Sequence, residues 1–170
     1  MKIESIETFL VQDWLVVRVR TDTGISGIGQ ATFWGQPAAT AVVVDEFGGY
    51  LKGKDPLTID YHWQYMYRSS SFRGASIGAA LSAIDVALWD IAGKQYGAPV
   101  HALLGGRHRS KIRMCALCMD DDKDEMLRKI TTAVREGHTA VKIDPFPNDY
   151  ARWSHPRLVR EVVETVGAAR

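Results

Sequence analysis

Residues 79–106 read AALSAIDVALWDIAGKQYGAPVHALLGG. Ala80, Ile84, Ala87, Leu88 and Ile91 recur at helical spacing, which predicts a helix with one apolar side packed inward. Small residues line that side. Ala79, Ala80, Ala83 and Ala87 leave room for another backbone to come close, as a helix wedged between two layers requires. Asp85, Asp90 and Lys94 interrupt the apolar run, and Asp90 stands one turn N-terminal to Lys94, the favourable order for a helical ion pair. The helix should stop at Tyr96, because Gly97 accepts a left-handed cap conformation and Pro99 cannot continue it.

Upstream, residues 3–11 and 14–20 read as two strands turning at Gln12 and Asp13, with Val17 and Val19 alternating against Arg18 and Arg20. Residues 25–31 make a third strand, giving an antiparallel meander. Gly27 and Gly29 form a GxG, but no helix follows directly and no third glycine completes a phosphate loop. Residues 37–51 and 58–70 read as helices, with Pro37 suited to a first turn and Thr58 to a cap. Trp63, Met66 and Tyr67 share one face of the second, read as core. Strands followed by helices make an α+β unit.

Downstream the pattern changes to strand, helix, strand, helix over residues 112–119, 122–136, 139–144 and 155–166. Asp122 and Glu125 have capping-box spacing, Gly137 ends the first helix, and Val159, Val162, Val163 and Val166 form a stripe on the last. Such alternation means parallel βα units. Within the 139–144 strand, Val141 and Ile143 point one way and Lys142 and Asp144 the other. Its unpaired edges predict self-association, so a homo-oligomer is expected. Cys115 and Cys118 lie three apart on a strand and face opposite sides, which predicts buried, unpaired thiols rather than a metal or redox site.

Composition narrows the function classes. A chain of 170 residues with 46% apolar and 24% charged types suits a globular core, and a net charge of +1 argues against nucleic acid or an anionic membrane as partner. No apolar run of transmembrane length stands out, and the opening MKIESIETFLVQDW is too charged to be a signal peptide, so a cytoplasmic location is expected.

The stretch from Ala80 through Ser82, Ala83, Ile84, Asp85, Ala87, Leu88, Asp90, Ile91, Gly93 and Lys94 to Pro99, Val100, Leu103, Leu104 and Gly105 resembles the first signature of the mandelate racemase and muconate lactonizing enzyme family of the enolase superfamily. The resemblance extends through TDTGISGIGQA, GKDP and the WxxMY run. It implies an enolase-type capping domain over residues 1–110 and, over 111–170, the first two βα units of a TIM-type (β/α) barrel, truncated there. It implies an enzyme that abstracts a proton α to a carboxylate with a magnesium ion held on the third, fourth and fifth barrel strands, none of which this chain contains. These 170 residues alone are therefore expected to be inactive.

Barrel strands present functional side chains at their C-terminal ends. Many relatives carry Lys-x-Lys at the 139–144 strand; here Lys142 matches the first lysine, and Asp144 stands in place of the usual base. Three roles stay open for Asp144: proton transfer, anchoring of substrate hydroxyls, or pairing with Lys142. Tyr150, Arg152 and His155 in PFPNDYARWSH, and Phe33 and Trp34 after the third strand, are candidate substrate contacts. The Lys-x-Asp departure favours a sugar-acid dehydratase, whose substrate is a small carboxylate, over a racemase or cycloisomerase of the same family. A non-catalytic α+β module is the competing class.

Overall fold

The computed structural model describes residues 1–31 and 36–169 and divides into two compact units, Met1–His108 and Arg109–Arg170. In the first, β1 (Ile3–Val11), β2 (Trp14–Thr21) and β3 (Ser26–Gln30) form the predicted antiparallel meander in that order. Alternation along β2 decides its faces. Leu15, Val17 and Val19 are fully buried, while Arg18 on the opposite face donates from Nε to Glu7 of β1 at 2.7 Å.

α1 (Pro37–Leu51) and α3 (Ala75–Tyr96) pack on the buried face, and α2 (Ile59–Arg68) packs on α3. A short α4 (Val100–Leu103) comes next. Pro37 opens α1 as expected, but Thr58 does not cap α2 with its side chain, because its hydroxyl donates to the Asp55 carbonyl at 3.0 Å. Met66 is fully buried, and Trp63 is half-buried with Tyr67 stacked on it at 4.7 Å. α3 is the centre of the core: Ala80, Ala83, Ile84, Ala87, Leu88 and Ile91 are all inaccessible. It ends at Tyr96 as expected, with Gly97 at φ 61°. Its 22 residues and mean hydropathy of 1.5 do reach the length and composition of a membrane-spanning helix, correcting the reading that no such run exists. Packing against the sheet accounts for that apolarity here.

The small residues of α3 and the GxG of β3 are two halves of one contact. A Cβ on Gly27 would lie 1.9 Å from the Ala87 carbonyl oxygen, and one on Gly29 would lie 1.9 Å from that of Ala83. Neither has room for a side chain. The glycines let the β3 backbone rest directly on the helix.

In the second unit, β4 (Ala116–Leu117) pairs in parallel with β5 (Val141–Lys142), flanked by α5 (Lys123–Arg135) and α6 (His155–Ala168). The βα order is as expected, but both strands are far shorter than the predicted 112–119 and 139–144. A strand is only as long as its ladder, and a two-stranded parallel pair supports little of one. Beyond it, the Arg113 side chain substitutes for main-chain pairing by donating to the Thr139 hydroxyl at 2.8 Å. A small core joins Cys118, Met126, Ile130 and Ala133 to the inner sides of Val141 and Ile143.

Asp122 caps α5 by accepting the Glu125 N–H at 2.9 Å, but the reciprocal half of the box is missing because the Glu125 carboxylate takes Arg128 instead. Cys118 is buried as expected, whereas Cys115 is exposed, because the short strand leaves it outside the ladder. On α6, Val159, Val163 and Val166 are exposed and Val162 is half-buried, so most of the stripe there is not packed.

Candidate functional site

The C-terminal end of β5 presents the alternation the sequence predicts. Val141 and Ile143 pack against the helix-side core, while Lys142 and Asp144 are exposed, Asp144 two residues beyond the end of the strand. Immediately after the strand the chain turns: Asp144 accepts the Phe146 N–H at 3.3 Å, an Asx-type turn that holds its carboxylate at the strand end. Among the described residues no ion pair joins Lys142 to Asp144.

Tyr150 and Arg152 lie in a single 3₁₀ turn, Tyr150–Arg152, with the Tyr150 ring tilted against Phe146 at 5.6 Å. His155 opens α6 and is exposed. Phe33 and Trp34 lie outside the described residues.

Of the described candidates only Asp144 lines the cavity of about 170 Å³ that opens beside β5. Lys142, Tyr150, Arg152 and His155 do not border it. Asp120 and Asp121 from the segment after β4, Lys123 from α5, Trp153 from the loop and Glu161 and Thr165 from α6 complete much of its wall. Sequence reasoning passed over all six. Trp153 sits inside the quoted loop and was within reach, but a threonine in the middle of an amphipathic helix carries no local sign of its surroundings.

Charges around the cavity are partly engaged. The Lys129 ammonium donates to Asp120 at 2.8 Å and holds its carboxyl below the usual aspartate range, helped by the Asp122 N–H at 3.0 Å. Lys123 stands 3.6 Å from Glu161. Arg157 covers one face of Trp153, its guanidinium 3.6 Å from the ring centroid. Among the described residues no three His, Cys, Asp or Glu side chains converge as metal ligands. The described residues therefore do not fit a magnesium site.

A meander seated through glycines on a small-residue helix, with parallel βα units after it in the chain, is the order of elements in an enolase-type capping domain and the opening of its barrel. Residues 2–105 match the family model for the mandelate racemase / muconate lactonizing enzyme N-terminal domain, and the chain belongs to that family. It is 37% identical over 172 residues to a D-galactonate dehydratase of Variovorax paradoxus, a match that takes in all of this chain and 45% of that protein. A crystal structure of an enolase superfamily member from Salmonella Typhimurium superposes with a TM-score of 0.88 at 28% identity, covering 99% of this chain and 51% of the other. An enolase from Pantoea ananatis with bound D-gluconate and magnesium superposes with a TM-score of 0.76 at 34% identity, covering 84% of this chain and 36% of that one. The chain thus spans less than half the length of the dehydratase it matches.

Proposed function

We propose that this chain forms the capping domain and first two βα units of a magnesium-dependent sugar-acid dehydratase. Such an enzyme removes the proton α to a carboxylate and expels the neighbouring hydroxyl. The observation that carries the reading is the C-terminal end of β5, where Lys142 and Asp144 stand exposed while Val141 and Ile143 are packed. The Variovorax relative's name and the Pantoea structure's bound sugar acid support the substrate class.

In this reading Lys142 attracts the substrate carboxylate, and Asp144, fixed by its Asx turn, accepts a substrate hydroxyl. A lysine is suited to the first role because its ammonium is a mobile point charge. A bound magnesium would supply Lewis-acid stabilisation of developing negative charge. In this reading its ligands stand on later barrel strands, and this chain alone is expected not to turn over substrate.

The test is a chimera in which these 170 residues replace the matching segment of the Variovorax enzyme, assayed with magnesium and D-galactonate. We expect formation of a 2-keto-3-deoxy acid, lost by at least about tenfold in Lys142→Ala. A folded chimera that racemises or cyclises another carboxylate but dehydrates no sugar acid would overturn the proposal. Turnover by the unspliced chain would overturn its inactivity.

A further inference from the structure

We propose that the cavity beside β5 is a subsite for the uncharged, hydroxylated tail of a ligand, with Thr165, Asp121, Asp144 and Trp153 as its recognition elements. This rests on the sugar-acid reading above and adds which end of the molecule enters. Thr165 is the telling residue. It is 4% exposed, its carbonyl accepts the Ala169 N–H within α6, and its hydroxyl has no partner among the described residues. Among them no fully enclosed side-chain oxygen lacks a partner, so the small exposed part of the Thr165 hydroxyl is what borders the cavity. That hydroxyl is open to the cavity and can donate to or accept from a ligand hydroxyl there.

The rest of the wall selects the ligand's chemistry. Asp120 is paired with Lys129 and Glu161 with Lys123, so Asp121 and Asp144 are the lining carboxylates without an ion-pair partner among the described residues, and they disfavour a carboxylate or phosphate. Carboxylates are acceptors only and suit hydroxyl donors. Trp153 and Phe146 add flat apolar surface for the C–H side of a carbon chain. At about 170 Å³ the space lies below the range of about 300–1,000 Å³ for drug-sized ligands and suits a single short polyol. A divalent cation is disfavoured because no three carboxylates converge among the described residues.

The full chain, labelled with nitrogen-15, is titrated in separate runs with galactitol, D-galactonate, 1,4-diaminobutane and magnesium chloride while the Trp153 indole and Thr165 amide signals are followed. Galactitol and D-galactonate should move both signals with similar midpoints, since only the shared hydroxylated tail is read. Thr165→Val should weaken both by about fivefold, the loss of one hydrogen bond. Asp121→Asn, at an exposed position, should weaken them as well and carries the test if the buried variant does not fold. No polyol response, a response only to the diamine or magnesium, or polyol binding unchanged in the folded variants would overturn the assignment. Failure of the chimera to dehydrate, with galactitol still bound, would overturn the dehydratase reading alone.

Discussion

The carboxylate of Asp90 accepts the backbone N–H of Ile28 at 2.9 Å, although the two lie 62 positions apart. Lys94, which pairs with Asp90 at 2.7 Å, donates in turn to the Ser26 carbonyl, also at 2.7 Å. The pair therefore closes the outer edge of β3, where main-chain groups would otherwise offer a template to another strand. It fastens the sheet to α3 as well as stabilising the helix.

Asp90→Ala should lower the stability of the first unit by about 1 kcal/mol, the net worth of a partly exposed charged hydrogen bond. Urea unfolding measures the loss. Faster hydrogen exchange at the Ile28 amide, with the rest of β2 unchanged, would show that the edge is what opens.

Gly29→Ala and Gly24→Ala separate two uses of glycine. The first places a Cβ against the Ala83 carbonyl, backbone on backbone, and should cost about 3 kcal/mol or more as β3 lifts from the helix. The second meets nothing within 4 Å and carries only the strain of φ +83°, about 1–2 kcal/mol. Equal losses in thermal melts would contradict the close packing of β3 on α3.

Asp85 gives a pH dependence with a definite sign. Burial first, and the nearby Asp60 carboxylate second, raise its carboxyl above the ordinary 3.8. The native state then holds the proton more tightly than the unfolded chain, so stability is greatest below the unfolded value and falls as pH rises through the folded one. Asp85→Asn should be more stable than the parent at neutral pH and no more stable well below pH 3.8, as unfolding at the two pH values will measure.

Cys115 and Cys118 should differ in reactivity. Cys115 is exposed and Cys118 is 2% exposed, so a thiol reagent should label one site in the folded chain and two in urea. Rapid labelling of both without denaturant would mean that the small core around Met126 and Ile130 is open.

Sequence alone determined what local periodicity can encode. The buried face of α3 comes from the spacing of Ala80, Ile84, Ala87, Leu88 and Ile91, its end from Gly97, and the two faces of β2 from alternating Val17, Arg18, Val19 and Arg20. The exposure of Lys142 beside half-buried Val141 was legible for the same reason. Side-chain direction in a regular element is set by the element's own period, so no distant residue is needed to deduce it.

Tertiary structure alone decided the rest. Gly27 and Gly29 have the spacing of an incomplete phosphate loop, and only the packing of Ala83 and Ala87 against them gives that spacing its purpose; Asp90 likewise has one partner visible in the helix and a second in β3. The shortness of β4 and β5, the exposure of Cys115 and the lack of a partner for the Thr165 hydroxyl among the described residues depend on what lies across from each residue. Those neighbours are set by how the elements pack, because contact and burial are properties of pairs distant in the chain, and no single stretch of sequence contains both members.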